Sequence, residues 1–151
     1  MLIIKKFLCV FMTVSFIFGL AGCQSNANKE LLVRKWDFLE AKYTKDGNSI
    51  DLSADDFTSY PAFSANSDGT FTFVLGENVL DGRFIKDTEY EIKDSEALYR
   101  LEIDKLKGEP AEIPPIACSI SKSDKGTYYL LVDTGEYSFI FIDANASSSS
   151  N

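Results

Sequence analysis

Apolar and polar residues alternate along most of this chain with a period of two. In the run 70–75, Phe71, Phe73 and Leu75 face one way and Thr70, Thr72 and Val74 the other. Leu80, Gly82 and Phe84 share a side in the next run. Tyr90 and Ile92 stand between Glu89, Glu91 and Lys93, and Tyr99, Leu101 and Ile103 oppose Leu98, Arg100 and Glu102. Such alternation marks half-buried strands. Beyond the breaker Gly108-Glu109-Pro110 and the pair Pro114-Pro115 come a run around Cys118 and two more at 127–133 and 136–143. Thr134-Gly135 joins the last two as a hairpin, with glycine where a positive φ is needed. A first strand at 35–43 brings the count to about eight. Ser53-Ala54-Asp55-Asp56-Phe57 breaks the pattern and predicts a short helix in the first long loop, with Ser53 as N-cap and Pro61 as the stop. A second helical turn is expected at 28–33.

Eight short antiparallel strands predict an all-β domain, an up-and-down antiparallel β-barrel whose closure removes exposed sheet edges; a two-sheet sandwich is the alternative. This domain covers 29–143. The end of the chain, 144–151, is rich in serine, cannot bury apolar surface, and is expected to be a disordered tail.

The first 22 residues carry a different signal. Lys5 and Lys6 precede an uncharged apolar run from Phe7 to Leu20, too short for a comfortable membrane span. Uncleaved, it would be a single anchoring helix. It ends in Leu20-Ala21-Gly22-Cys23, a lipobox, which resembles the export and anchoring signal of bacterial lipoproteins. The resemblance implies cleavage between Gly22 and Cys23 and a diacylglycerol on the Cys23 sulfur. The expected partner is therefore the membrane, and the expected location is extracytoplasmic and lipid-anchored. Two acyl chains give a lasting attachment that one does not. The small polar residues 23–28 would then be the lipidated tether.

Cysteine use follows from this division. Cys9 leaves with the signal and Cys23 is consumed by lipid, so Cys118 alone remains in the domain and no intrachain disulfide is possible. Alternation puts Cys118 on the side of Ile116 and Ile120, which predicts a small buried hydrophobe. Cleavage after residue 22 of 151 leaves 129 residues, one domain's worth of chain. Taking the two signal lysines from 15 basic residues against 23 acidic ones leaves the mature protein at −10. Nucleic acid is thereby disfavoured as a partner, since binding it requires clustered basic residues.

Leu32-Val33-Arg34-Lys35-Trp36, the hairpin-like Ser67-Asp68-Gly69-Thr70-Phe71 and the serial strands that follow together resemble the lipocalin-like domains of small bacterial lipoproteins. In lipocalins a Gly-x-Trp motif opens the first strand and its indole plugs the closed end of the barrel. The resemblance implies that Trp36 is that plug, with Arg34 in the place of the family's glycine. Even without it, a lone tryptophan beside Phe38 belongs in the core.

Catalytic chemistry finds little support. The chain has no histidine, which removes Ser-His-Asp and Cys-His nucleophile activation and the commonest zinc ligand. A calcium loop aligned on Gly69 would use Asn66 and Asp68, but Ser64 at its first position and Leu75 at its last spoil it. Among 23 acidic residues some glycosidase-like pair arises by chance, so Asp55, Asp56 and Glu77 carry no weight. No metal, cofactor or enzymatic activity is expected. Binding remains. Eight-stranded barrels are either filled by their own side chains or hold one small ligand. The expected ligand is small and apolar or aromatic, with Phe73, Tyr90, Tyr99 and Phe139 as its contacts. The alternative is a filled barrel acting as a surface interaction module.

Overall fold

The computed structural model describes residues 30–147, so Gly22, Cys23, the signal, the tether and the last four residues lie outside the described part. Nine strands form one antiparallel sheet: β1 (Trp36–Lys45), β2 (Asn48–Leu52), β3 (Ala62–Ala65), β4 (Thr70–Leu75), β5 (Asn78–Asp87), β6 (Ser95–Leu106), β7 (Glu109–Lys122), β8 (Tyr128–Asp133) and β9 (Tyr137–Asp143). Their order is β2-β1-β9-β8-β7-β6-β5-β4-β3. From β3 to β9 the chain is a plain meander, and β1 adds to its far side beside β9.

The all-β class and the antiparallel up-and-down path are as expected. The closed hydrogen-bonded barrel is not: β2 and β3 stand at the two ends of the order, and a single bridge, Lys35 to Ser64, links the lead-in to β1 with β3. The sheet nevertheless rolls over on itself. Phe63 of β3 meets Phe141 of β9 at 6.2 Å between ring centroids, and Phe73 of β4 meets Phe139 and Phe141 at 5.3 and 6.1 Å. Rings from the two halves of the order thus share one core, to which every strand but β2 gives a buried apolar residue.

Three local features adjust the alternation. A β-bulge between Phe38 and Glu40 rephases β1, so that Trp36, Phe38 and Ala41 all point inward while Leu39 and Glu40 stay outside. Register also shifts beside Gly82, which lies so close to β6 that a Cβ there would be 1.9 Å from the Glu102 carbonyl oxygen. The Pro114-Pro115 pair does not interrupt β7 as expected; the strand runs past it with register shifts against β6, the irregularity that lets a sheet accept residues lacking an N–H.

The strand count rises to nine because β2 and β3 are short segments that the pattern does not announce. Asp46-Gly47, both at positive φ, turns β1 into β2, and Lys107-Gly108 does the same between β6 and β7. The run at Tyr90 and Ile92 is a connection between β5 and β6, not a strand. In the expected helix only Ala54–Asp56 is helical, as a single 3-10 turn. Its segment does more than fill a loop: Phe57 sits against Phe38 and Phe139, and Ser59 donates to the Gly76 carbonyl, covering part of the seam where β1 and β3 are not paired. Of the expected tail 144–151, Ala144–Ser147 forms a helical turn, α1, and 148–151 lie outside the described residues; the Asp143 carboxylate accepts from the Asn145 N–H, and the Ala144 N–H donates to the Lys35 carbonyl. Cys118 is buried, and burial pushes its thiol up to about 12, as a small core residue and not a nucleophile.

Candidate functional site

The two ends of the rolled sheet differ in how they are closed. At one end lie the start of β1, the end of β9 and the chain's entry. Within six residues of that entry, Glu30 accepts from the Tyr99 hydroxyl of β6 at 2.7 Å, Arg34 reaches Asp143 of β9 at 2.6 Å, its guanidinium lies 4.0 Å from the Tyr128 ring centre of β8, and Lys35 bridges to β3. A segment with contacts on four separate strands must cross the end of the sheet. Leu32 beneath it is fully buried, and the Trp36 indole N–H donates to the Leu32 carbonyl at 3.0 Å. Trp36 is buried as expected, and its indole nitrogen is satisfied at this end.

The polar groups here hold one another. Burial alone would raise the Asp143 carboxyl, but the Asn145 backbone N–H and the Arg34 guanidinium outweigh it and hold the group below the ordinary carboxylate range. Tyr99 is shifted up, chiefly by burial and then by the Glu30 carboxylate. Because the Asp143 value is depressed, its stabilisation is complete above the unfolded carboxyl's value of 3.8 and is lost as pH falls through the lower folded one. Arg34→Ala removes the ion pair, the bond from its Nε to the Leu31 carbonyl and the stacking on Tyr128. It is expected to cost about 2 kcal/mol at neutral pH, or roughly 8 °C in melting temperature, and to flatten the loss of stability below about pH 4. Thermal melts of both chains from pH 7 to pH 3 check this; equal melting temperatures at pH 7 would remove the segment's closing role.

The opposite end is open. Between the β1–β2 hairpin, the 54–56 turn, the β4–β5 turn and the start of β9 lies a hollow of about 400 Å³. Its walls are Tyr43, Ile50, Leu52, Phe57, Leu75, Tyr137 and Phe139, with Asp56 and Asn78 as the polar members. The sequence brings these together through strand ends: Tyr43 and Tyr137 are register partners on β1 and β9, with centroids 4.7 Å apart, and Tyr137 stacks on Phe139 at 6.0 Å. Asp56 is held by Ser53, whose backbone N–H and hydroxyl both donate to its Oδ2.

The four residues expected to contact a ligand fall into two pairs: Phe73 and Phe139 meet in the core, with only Phe139 reaching this hollow, while Tyr90 and Tyr99 line a different hollow on the outer face. Phe73 is fully buried one layer deeper. Tyr99 belongs to the opposite, covered end. The inward, in-strand placement expected for Tyr90 is corrected: it lies on the β5–β6 connection, 70 % exposed, because its segment pairs with no strand. There it flanks a second hollow of about 370 Å³ on the outer face, with Ile92, Leu98, Leu131 and part of Tyr99. Alternation could not reveal Tyr43, Phe57 or Tyr137 as wall residues, since a mouth is made from turns and strand ends, where period two stops. Among the described residues no group of three or more His, Cys, Asp or Glu side chains could hold a metal ion. Comparison of the chain with protein families, curated proteins and solved structures found no match.

Proposed function

We propose that this protein is a lipid-anchored, extracytoplasmic binding module without enzymatic activity, a lipocalin-like barrel that takes one small, largely apolar or aromatic molecule at its open end. The observation that carries this reading is the ring-lined hollow opposite the covered end. At about 400 Å³ it is within the size range of small-molecule pockets, roughly 300–1,000 Å³. Beneath it Phe63, Phe71, Phe73 and Phe141 fill the interior, so the ligand is held at the mouth and not deep among the strands. The Lys35–Ser64 bridge and the Phe63–Phe141 contact favour the barrel description. The lipobox favours the anchor: the mature protein is expected to begin at Cys23 with a diacylglyceryl adduct in its intact mass, and Cys23→Ala to lose both the adduct and the membrane attachment.

Thermal melting of the full-length protein with fatty acids, aromatic metabolites, haem and short peptides tests the binding. A ligand specific to the folded state at one hundred times its dissociation constant stabilises by about 2.7 kcal/mol. At least one compound is expected to raise the melting temperature; Tyr137→Leu should abolish that shift and Tyr90→Ala should not. A shift abolished by Tyr90→Ala alone, or no shift with any compound, overturns the mouth as the site. The outer hollow of Tyr90, Ile92, Leu98 and Leu131 favours the second reading, a surface interaction module, to be pursued by crosslinking on intact cells.

A further inference from the structure

The wall of the mouth combines aromatic rings with a carboxylate. Four rings, Tyr43, Tyr137, Phe139 and Phe57, follow one another along its wall at centroid distances of 4.7, 6.0 and 5.8 Å. Aromatic faces carry negative potential and attract cations. Asp56, adjacent to Phe57, adds a carboxylate to the same wall, and none of the nine wall residues is basic.

The surroundings point the same way. Lys42, on β1, and Lys107, in the β6–β7 turn beside the start of β5, are met by Asp51 at 3.8 Å and Glu77 at 4.0 Å. Lys45 adjoins Asp46 at the β1–β2 turn, while Asp55 and Glu136 lie beside Asp56 and Tyr137 in sequence. A carboxylate ligand entering here would face Asp56 with no basic wall residue to receive it. An uncharged ligand would gain nothing from Asp56, which is solvent-exposed and already accepts two hydrogen bonds from Ser53.

We propose that the mouth prefers an organic cation, an apolar body ending in a quaternary ammonium group that rests against the Tyr137 and Phe57 rings with Asp56 beside it. This rests on the mouth being the binding site. Quaternary ammonium suits the wall because its charge is spread over methyl groups, which ring faces accept without hydrogen bonds.

The test is a calorimetric titration of the full-length protein in maltoside micelles with three isosteric probes: choline, the uncharged 3,3-dimethylbutanol and the anionic 3,3-dimethylbutanoate. Choline is expected to bind about ten-fold more tightly than the alcohol, with the anion weakest. Asp56→Asn and Tyr137→Leu should each reduce the preference to less than about three-fold, and unchanged melting of either variant without ligand shows that its fold is retained. Equal binding of choline and the alcohol, lost in Tyr137→Leu, overturns the charge preference while the mouth remains the site. Choline binding undiminished in both variants places the cation elsewhere and overturns the proposal. No heat from any probe also overturns it, and the mouth itself falls only if the melting panel is silent too.

Discussion

Gly82→Ala is expected to prevent the domain from reaching its native sheet. The added Cβ would lie 1.9 Å from the Glu102 carbonyl oxygen and 2.9 Å from its carbon, both backbone atoms of the neighbouring strand. A flexible side chain could move away; a paired strand cannot do so without giving up its register. Overpacking normally costs about 1–3 kcal/mol where side chains can shift, and a backbone clash of this depth should exceed that, against a total stability on the order of 10 kcal/mol for a domain of this size. Circular dichroism and melting of the purified variant check it. A cooperative transition within 2 °C of the parent would mean that β5 and β6 are not as close as the register beside Gly82 requires.

Phe141→Ala is expected to be nearly as damaging, for the opposite reason. Its ring is fully buried and touches Phe38, Phe63 and Phe73 at 5.8, 6.2 and 6.1 Å, joining β9 to β1, β3 and β4. Removing it leaves a cavity where the rolled sheet meets itself. Large-to-small changes of this kind cost roughly 3–5 kcal/mol. Chemical denaturation should show the midpoint falling with the slope preserved, while Tyr90→Ala, at an exposed position, should stay within about 0.5 kcal/mol of the parent. Comparable losses from the two variants would contradict the shared core.

These two residues also mark what could be read from the chain. Phe71, Phe73, Tyr99, Leu101, Phe139 and Phe141 declare their faces by alternation, because a half-buried strand has no other way to satisfy both water and core. Cys118 followed from the same rule, and Trp36 from being a lone tryptophan beside Phe38. Gly82 gave no such sign beyond its place in the apolar row: its role comes from the approach of a second strand, a property of pairing and not of local sequence. Tyr90 misled for a related reason. Alternation describes a face, but only a partner makes a strand, and the residues at 88–94 have none. The short β2 and β3 were missed because four or five residues give too few periods. The mouth was nearly illegible. Phe139 was visible as a strand residue, whereas Tyr43, Phe57, Tyr137 and Asp56 meet only because three separate turns converge.

The chain enters and leaves the domain at the same end. Glu30 touches Tyr99, Asp143 pairs with Arg34, and the helical turn after β9 is tied to Lys35. If Cys23 carries the lipid, as proposed, the residues from 23 to 29 can span no more than about 25 Å even when fully drawn out, so the covered end is the one moored to the bilayer. The mouth then points outward, at the far end of strands such as β1, whose ten residues rise roughly 33 Å. Loading would occur from the surrounding medium, at a height the acyl chains beneath do not reach.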